Sequence, residues 1–123
     1  MILVDTSIWI DHLRKGDATL AELLEHRRVL AHPFVTGELS LGSLRQREIV
    51  LHSLQELPQA EVARDEEVLH FIEHEALFSL GIGYVDAHLL ASVRLTPGTS
   101  IWTRDKRLLA AAERLSLAAT LIH

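Results

Sequence analysis

The stretch Ile2-Leu3-Val4-Asp5-Thr6-Ser7 decides the fold, because a short apolar run passes directly into polar residues. An apolar run of this kind predicts a buried strand, here over residues 2–5. Polar residues are typical of a helix start, so we expect Thr6 or Ser7 to cap a helix that ends at Gly16. A strand leading straight into a helix is the building unit of an α/β protein.

The same arrangement recurs near the other end of the chain, where Ser100-Ile101-Trp102-Thr103 precedes Asp105. We predict a strand over 100–103 and a helix over 105–115. Apolar runs and helical periodicities alternate between the two units, which indicates an α/β fold with a mostly parallel sheet. The remaining predicted elements are helices over 18–26, 33–42, 45–56, 65–80 and 84–95, and strands over 29–31, 60–62 and 118–121.

Four acidic residues occupy positions where a carboxylate is unexpected unless it has a function. Asp5 and Asp105 follow the two apolar strands, and ligands bind beyond the carboxyl ends of parallel strands. Glu38 and Asp86 lie in apolar helical contexts, where an unpaired charge is costly. Carboxylates gathered in one pocket repel one another, and a hard cation such as Mg²⁺ or Mn²⁺ removes that repulsion. The pattern therefore predicts a metal site that handles phosphate.

Each acid also has a simpler interpretation. Asp5 and Asp105 are suited to cap the helices that follow them. Asp86 lies in a first helical turn, where the helix dipole favours an acid, and Glu38 could reach solvent from the edge of an apolar face. The residues alone leave both interpretations open, because the metal site requires the first and last strands to be neighbours.

Basic residues surround the last of these acids, namely Arg104, Lys106 and Arg107. Cations beside carboxylates suit a phosphodiester substrate, since the cations contact phosphates while the acids hold metal. Thr103 is placed to share the site through its hydroxyl. The net charge of −5 argues weakly against nucleic-acid binding. Setting aside the four acids, however, leaves 13 of the 17 acidic residues against 12 basic ones.

The composition of the 123 residues, 48% hydrophobic and 24% charged, fits a single globular domain over 1–123. The lack of cysteine excludes disulfides, thiolate metal sites and a cysteine nucleophile, and it suits a reducing compartment. We see no signal peptide and no apolar run near the roughly 20 residues that span a bilayer. We therefore expect a cytoplasmic protein with no membrane partner.

Other motifs in the sequence have weaker support as sites. His70 and His74 are four residues apart, which lets two imidazoles share a metal, but the Glu that follows the first His in zinc proteases is missing. We expect these two to be surface histidines. His32 and His88 flank proposed acids and are expected to support the site or contact RNA rather than to catalyse. Ser7 lacks the Gly-x-Ser-x-Gly setting of a nucleophile.

The motifs together resemble those of PIN-domain ribonucleases, and most of all the VapC toxins of type II toxin–antitoxin pairs. The resemblance runs from residue 1 to about 115 and rests on Met1-Ile2-Leu3-Val4-Asp5-Thr6-Ser7, Glu38, Gly83-Tyr84-Val85-Asp86-Ala87 and Trp102-Thr103-Arg104-Asp105-Lys106-Arg107-Leu108. It implies a three-layer α/β/α sandwich and cleavage of RNA that depends on Mg²⁺ or Mn²⁺.

The resemblance also implies roles for particular residues and partners. The catalytic and metal-binding residues would be Asp5, Glu38, Asp86 and Asp105, with Ser7 and Thr103 in support. The protein would form a homodimer, and a VapB-type antitoxin would bind it in a hetero-oligomer and block its site. The substrate would be a structured transfer, ribosomal or messenger RNA.

Three competing functions have less support. A receiver domain needs a phospho-accepting Asp near the middle of the chain, where the sequence reads Leu54-Gln55-Glu56-Leu57-Pro58. A haloacid-type phosphatase needs a second Asp where Ser7 stands. A non-catalytic PIN scaffold that binds a protein or RNA partner has no reason to keep four uncompensated acids, and a metal-binding assay separates it from a nuclease.

Overall fold

Three short parallel strands lie at the centre of the molecule, which a computed structural model describes for residues 1–121. The strands are β1 (Ile2–Val4), β2 (Val29–Leu30) and β3 (Ser100–Trp102), in the order β2-β1-β3. Val4 of β1 is in register with Trp102 of β3. The first and last strands are therefore neighbours, as the metal-site hypothesis requires.

Helices cover the sheet, as in the predicted α/β/α sandwich, which is confirmed. Parallel strands buried on both faces carry continuous apolar runs, and β1 is buried along its whole length. Within residues 1–121, the helices are α1 (Thr6–Lys15), α2 (Ala18–Glu25), α3 (Pro33–Ser40), α4 (Arg47–Glu56), α5 (Asp65–His74), α6 (Tyr84–Leu95) and α7 (Lys106–Arg114).

The core is mainly aliphatic, as the small number of aromatic residues predicts. Helix α6 runs through it, with seven consecutive buried residues from Ala87 to Val93. Trp9 and Trp102 are buried. No helix in the described part of the chain is long and apolar enough to cross a membrane.

The predicted helix over 65–80 is wrong, because α5 ends at His74. Ala76 adopts a left-handed conformation with φ 52°, and the N–H of Leu77 donates to the carbonyl of Ile72 at 2.9 Å. This hydrogen bond closes a helix end that usually has glycine at the left-handed position. With alanine there, the apolar periodicity continues through Leu77 and Leu80 without a visible stop signal.

Three smaller predictions also need correction. Neither Thr6 nor Ser7 is the N-cap of α1, because Asp5 occupies that position. The predicted strand over 60–62 does not form, and the nearest pairing is a single bridge between Ala31 and Gln59, just before it. The predicted strand over 118–121 is likewise a single bridge from Ala118 to Ile101.

His32 is part of the buried structure and does not face a substrate pocket. Its Nδ1 accepts the N–H of Phe34 at 3.0 Å, so the proton lies on Nε2, which donates to Ser92 Oγ at 2.9 Å. Burial, and secondarily the charge of His88, lowers the pKa of His32 from 6.5 to about 4. The ring is therefore neutral at physiological pH.

This lowered pKa predicts that the protein loses stability in mild acid. Between pH 6.5 and about 4 the unfolded chain binds a proton at His32 that the folded chain does not. The free energy of unfolding should therefore fall by about 3 kcal/mol as pH drops through this window, since one pKa unit corresponds to about 1.4 kcal/mol. Urea unfolding at several pH values measures the loss, which should be smaller in His32→Gln and unchanged in a variant of the exposed His52.

Candidate active site

Asp5 lies immediately after β1, where its backbone N–H donates to the carbonyl of Trp102 at 3.0 Å. It is the N-cap residue of α1, yet its side chain makes no capping hydrogen bond. The carboxylate is buried, and its Oδ2 accepts the hydroxyls of Ser7 at 3.0 Å and Thr103 at 2.7 Å. The capping interpretation therefore fails for the Asp5 side chain.

The two hydroxyls that hold Asp5 have fixed directions. Ser7 Oγ accepts the backbone N–H of Arg104 at 3.1 Å, and Thr103 Oγ1 accepts that of Asp105 at 3.0 Å. Since each hydroxyl has one proton, and its oxygen is already an acceptor, both protons point to Asp5 Oδ2. The other oxygen, Oδ1, remains for a ligand.

Glu38 reaches the same end of the sheet from α3. Its side chain is exposed, and its Oε1 accepts the hydroxyl of Thr6 at 2.7 Å. Thr6 and Ser7 are adjacent in the chain, and their hydroxyls donate to two different acids, Glu38 and Asp5.

Asp86 shows that the four acids share one electrostatic environment. It lies in the first turn of α6, where its Oδ2 accepts the N–H of Gly83 at 3.2 Å. Burial raises the pKa of Asp86, and the charges of Asp5, Asp105 and Glu38 each raise it further, against the lowering effect of the Gly83 hydrogen bond. The negative charges of the other three acids therefore act on Asp86 and disfavour its ionised form.

Asp105 has two roles available to its two oxygens. Oδ1 caps α7 by accepting the N–H groups of Arg107 at 2.9 Å and Leu108 at 3.0 Å. The capping interpretation is correct for this oxygen. Oδ2 takes no part in the cap, so the residue can cap a helix and still face the pocket.

The four carboxylates influence one another electrostatically but do not form a ready-made cage. Within residues 1–121, no three Asp, Glu or His side chains are grouped closely enough to hold a metal ion as they stand. Mutual repulsion and the separate hydrogen bond of each acid explain the spacing. The oxygen donors are nevertheless the type that Mg²⁺ and Mn²⁺ prefer, and a bound cation would offset the effect of the neighbouring acids on Asp86, whose pKa is raised first by burial and then by those acids.

The basic residues beside Asp105 differ in their partners. Arg104 forms ion pairs with Asp11 at 2.7 Å and Asp17 at 2.9 Å, so its guanidinium is directed towards α1 and α2. Lys106 and Arg107 are exposed. The Arg107 side chain lies over the backbone of Gly81, where an added Cβ would be 2.8 Å from its Nη1.

The sequence patterns did not predict two polar contacts in this region. One is the Thr6 hydroxyl, which was considered only as a cap. The other is Tyr84, an exposed ring at the start of α6 whose hydroxyl donates to Asp65 Oδ1 at 3.0 Å. His88 also contacts Asp65 Oδ1, at 3.1 Å, and packs edge-on against Tyr84. Tyr84 is the one tyrosine in the sequence and directly precedes Val85-Asp86, and this position was the signal that could have pointed to its contact with Asp65.

His70 and His74 lie on the surface, as expected, with their rings stacked 5.8 Å apart. In the described residues they gain no third ligand that would make a metal site.

A groove of about 660 Å³ runs between α1 and the α3–α4 region and includes Glu38 in its wall. Its wall combines apolar residues, Ile10, Leu13 and Val50 among them, with polar and charged ones, and Arg14 and Arg45 add positive charge. Leu41 and Ile49, in the same α3–α4 region, are strongly exposed. Contiguous exposed apolar surface is typical of sites that contact another molecule.

The parallel sheet, with acids gathered at the carboxyl ends of its strands, defines the class of this protein. Residues 2–114 match the model of the PIN domain, and the chain belongs to the PIN-domain family. It is similar to Ribonuclease VapC32 of Mycobacterium tuberculosis, matched in two strains of that organism. The two sequences are 50% identical over 118 residues, which cover 96% of this chain and 95% of the relative. This similarity confirms the resemblance to VapC toxins.

Proposed function

We propose that this protein is an endoribonuclease that acts as the toxin of a toxin–antitoxin pair and requires Mg²⁺ or Mn²⁺. The observation that carries the proposal is that the charges of Asp5, Asp105 and Glu38 all raise the pKa of Asp86, which relates the four acids to one another electrostatically. Half of the residues are shared with a ribonuclease over nearly the whole chain, which supports the same activity.

The metal would be held by Asp5 through Oδ1, by Asp86 and Asp105, and by Glu38 directly or through water. When bound, such a cation lowers the pKa of water and stabilises the negative charge of a phosphate under attack. The protein supplies the arrangement: Ser7 and Thr103 orient Asp5, and the N-cap bonds orient Asp105.

We assign the contacts with RNA phosphates first to Lys106 and Arg107, which are exposed beside Asp105. Arg104 would have to release Asp11 and Asp17 before it could bind a phosphate. Its two ion pairs support a different contribution, which is to hold the segment around Thr103 against α1. Tyr84 offers an exposed ring, fixed by Asp65, on which a base could stack. Because proteins read RNA mainly through unpaired bases, the target would be a loop in a structured transfer, ribosomal or messenger RNA.

We further propose that a VapB-type antitoxin docks in the groove between α1 and the α3–α4 region. The apolar part of the wall suits the apolar face of a partner helix. Because Glu38 lies in the same wall, a basic side chain on that partner would reach the acids and block them. The toxin would act in the cytoplasm, alone as a homodimer and, when inhibited, in a hetero-oligomer with the antitoxin.

The proposed activity is tested by incubating metal-stripped protein with total RNA and mapping the new 5′ ends. We expect discrete cuts with Mn²⁺ or Mg²⁺ and none with a chelator. If folded protein that is free of antitoxin makes no cut with either metal, the result would favour a non-catalytic scaffold that binds a protein or RNA partner.

A further inference from the structure

Glu38 is the acid that the fold constrains least. Asp5 is buried, Asp86 is half-buried, and Asp105 is fixed as a helix cap, whereas Glu38 is exposed on α3. A glutamate side chain that is held in one orientation loses up to about 2 kcal/mol of conformational entropy. A ligand that binds Glu38 therefore bears this entropy cost, unless another contact in the protein already holds the Glu38 side chain in place.

The protein orders Glu38 with a hydroxyl from another helix. Thr6 Oγ1 donates to Glu38 Oε1 at 2.7 Å, a favourable distance for a hydroxyl donor, and this bond connects α1 with α3. A hydroxyl donating to a carboxylate is stronger than a bond between neutral groups. With Oε1 engaged, Oε2 is the oxygen that remains for the pocket.

We propose that Thr6 is a positioning residue that sets Glu38 for a divalent cation. The inference rests on the proposed function, since it concerns the same metal site. In this proposal the three residues that follow β1 have different roles. Asp5 supplies a carboxylate, Ser7 fixes that carboxylate, and Thr6 fixes the carboxylate that arrives from α3.

The test measures Mn²⁺ binding to the metal-stripped full chain by electron paramagnetic resonance of the free ion. Thr6→Val keeps the shape of the side chain and removes the hydroxyl, and should weaken binding about 10-fold, the lower range for loss of a group that orients a metal ligand. Thr6→Ser keeps the hydroxyl and should restore most of the affinity. Thr36→Val is the matched control, because Thr36 lines a different groove from that of Glu38, and it should bind Mn²⁺ normally.

A double-mutant comparison separates positioning from a general loss of structure. Glu38→Gln alone should weaken binding, and adding Thr6→Val to it should cause no further loss, because the carboxylate that Thr6 positions is already absent. Normal affinity in Thr6→Val beside a weakened Glu38→Gln overturns the inference and leaves the metal site intact. If Glu38→Gln binds normally, or the unmodified chain binds no Mn²⁺, the assignment of the metal site itself fails, and the inference fails with it. Thermal unfolding of each variant verifies that it is folded.

Discussion

Replacing Asp5 with asparagine is expected to reduce RNA cleavage by at least about 100-fold, since changes in groups that merely orient metal ligands already cost up to that much. The side-chain oxygen of asparagine can still accept the hydroxyls of Ser7 and Thr103, which now hold Oδ2. The NH₂ group of asparagine would then take the place of Oδ1. It carries no charge and offers no lone pair to a cation. The geometry of the pocket should survive while its ability to hold metal is lost.

The measurement compares initial cleavage rates of the purified proteins on one mapped RNA site. Glu113→Gln is the control, because it also removes one exposed carboxylate but lies on α7 away from the four acids. In cells, expression of the unmodified chain should slow bacterial growth and expression of Asp5→Asn should not. Cleavage by folded Asp5→Asn at the normal rate would refute the role assigned to Asp5.

Replacing Asp86 with asparagine should have two effects of opposite sign. Cleavage should fall by about 100-fold or more, as for Asp5. The metal-free protein, however, should become more stable. The pKa of Asp86 is raised from 3.8, so the folded protein holds a proton that the unfolded chain releases as pH increases above that value. Ionised Asp86 therefore lowers the stability of the folded state at neutral pH, and asparagine avoids this cost.

The free energy of unfolding in urea, measured with a chelator present, tests the second effect. The difference between Asp86→Asn and the unmodified chain should be largest at neutral pH and should shrink as pH falls towards 3.8. Added Mn²⁺ should stabilise the unmodified chain more than the variant, because a ligand stabilises the state that binds it. A variant that is less stable at pH 7 without metal would show that the Gly83 hydrogen bond to Asp86 outweighs the cost of burial and repulsion.

The sequence predicts the strands and the acids at their ends because both follow from short-range patterns. Apolar runs define β1 and β3, and the rules of parallel sheets place Asp5 and Asp105 at one edge. The end of α5 follows no such pattern, since a left-handed alanine at position 76 is held there by backbone hydrogen bonds rather than by residue type. Sequence signals for helix ends rely on glycine, so they fail where another residue adopts this conformation.

Contacts between distant side chains are the other part that sequence could not supply. Arg104 was a reasonable candidate for binding phosphate, being basic and next to Asp105. Its pairing with Asp11 and Asp17 depends on the packing of α1 and α2 against the end of β3. The Thr6–Glu38 hydrogen bond likewise depends on how α1 and α3 approach each other. Residue type gives the chemical options, and tertiary packing selects among them.

The hydroxyl of Thr103 that holds Asp5 comes from 98 residues further along the chain. Ribosomes add about 5–20 residues per second, so roughly 5–20 s of synthesis separate the two residues. During that interval β1 has no β3 to pair with, and Asp5 lacks one of the two hydroxyls that orient it. The fully oriented Asp5 carboxylate therefore cannot form until residue 103 has been made, so this part of the site is assembled late in translation although its acid is made among the first residues.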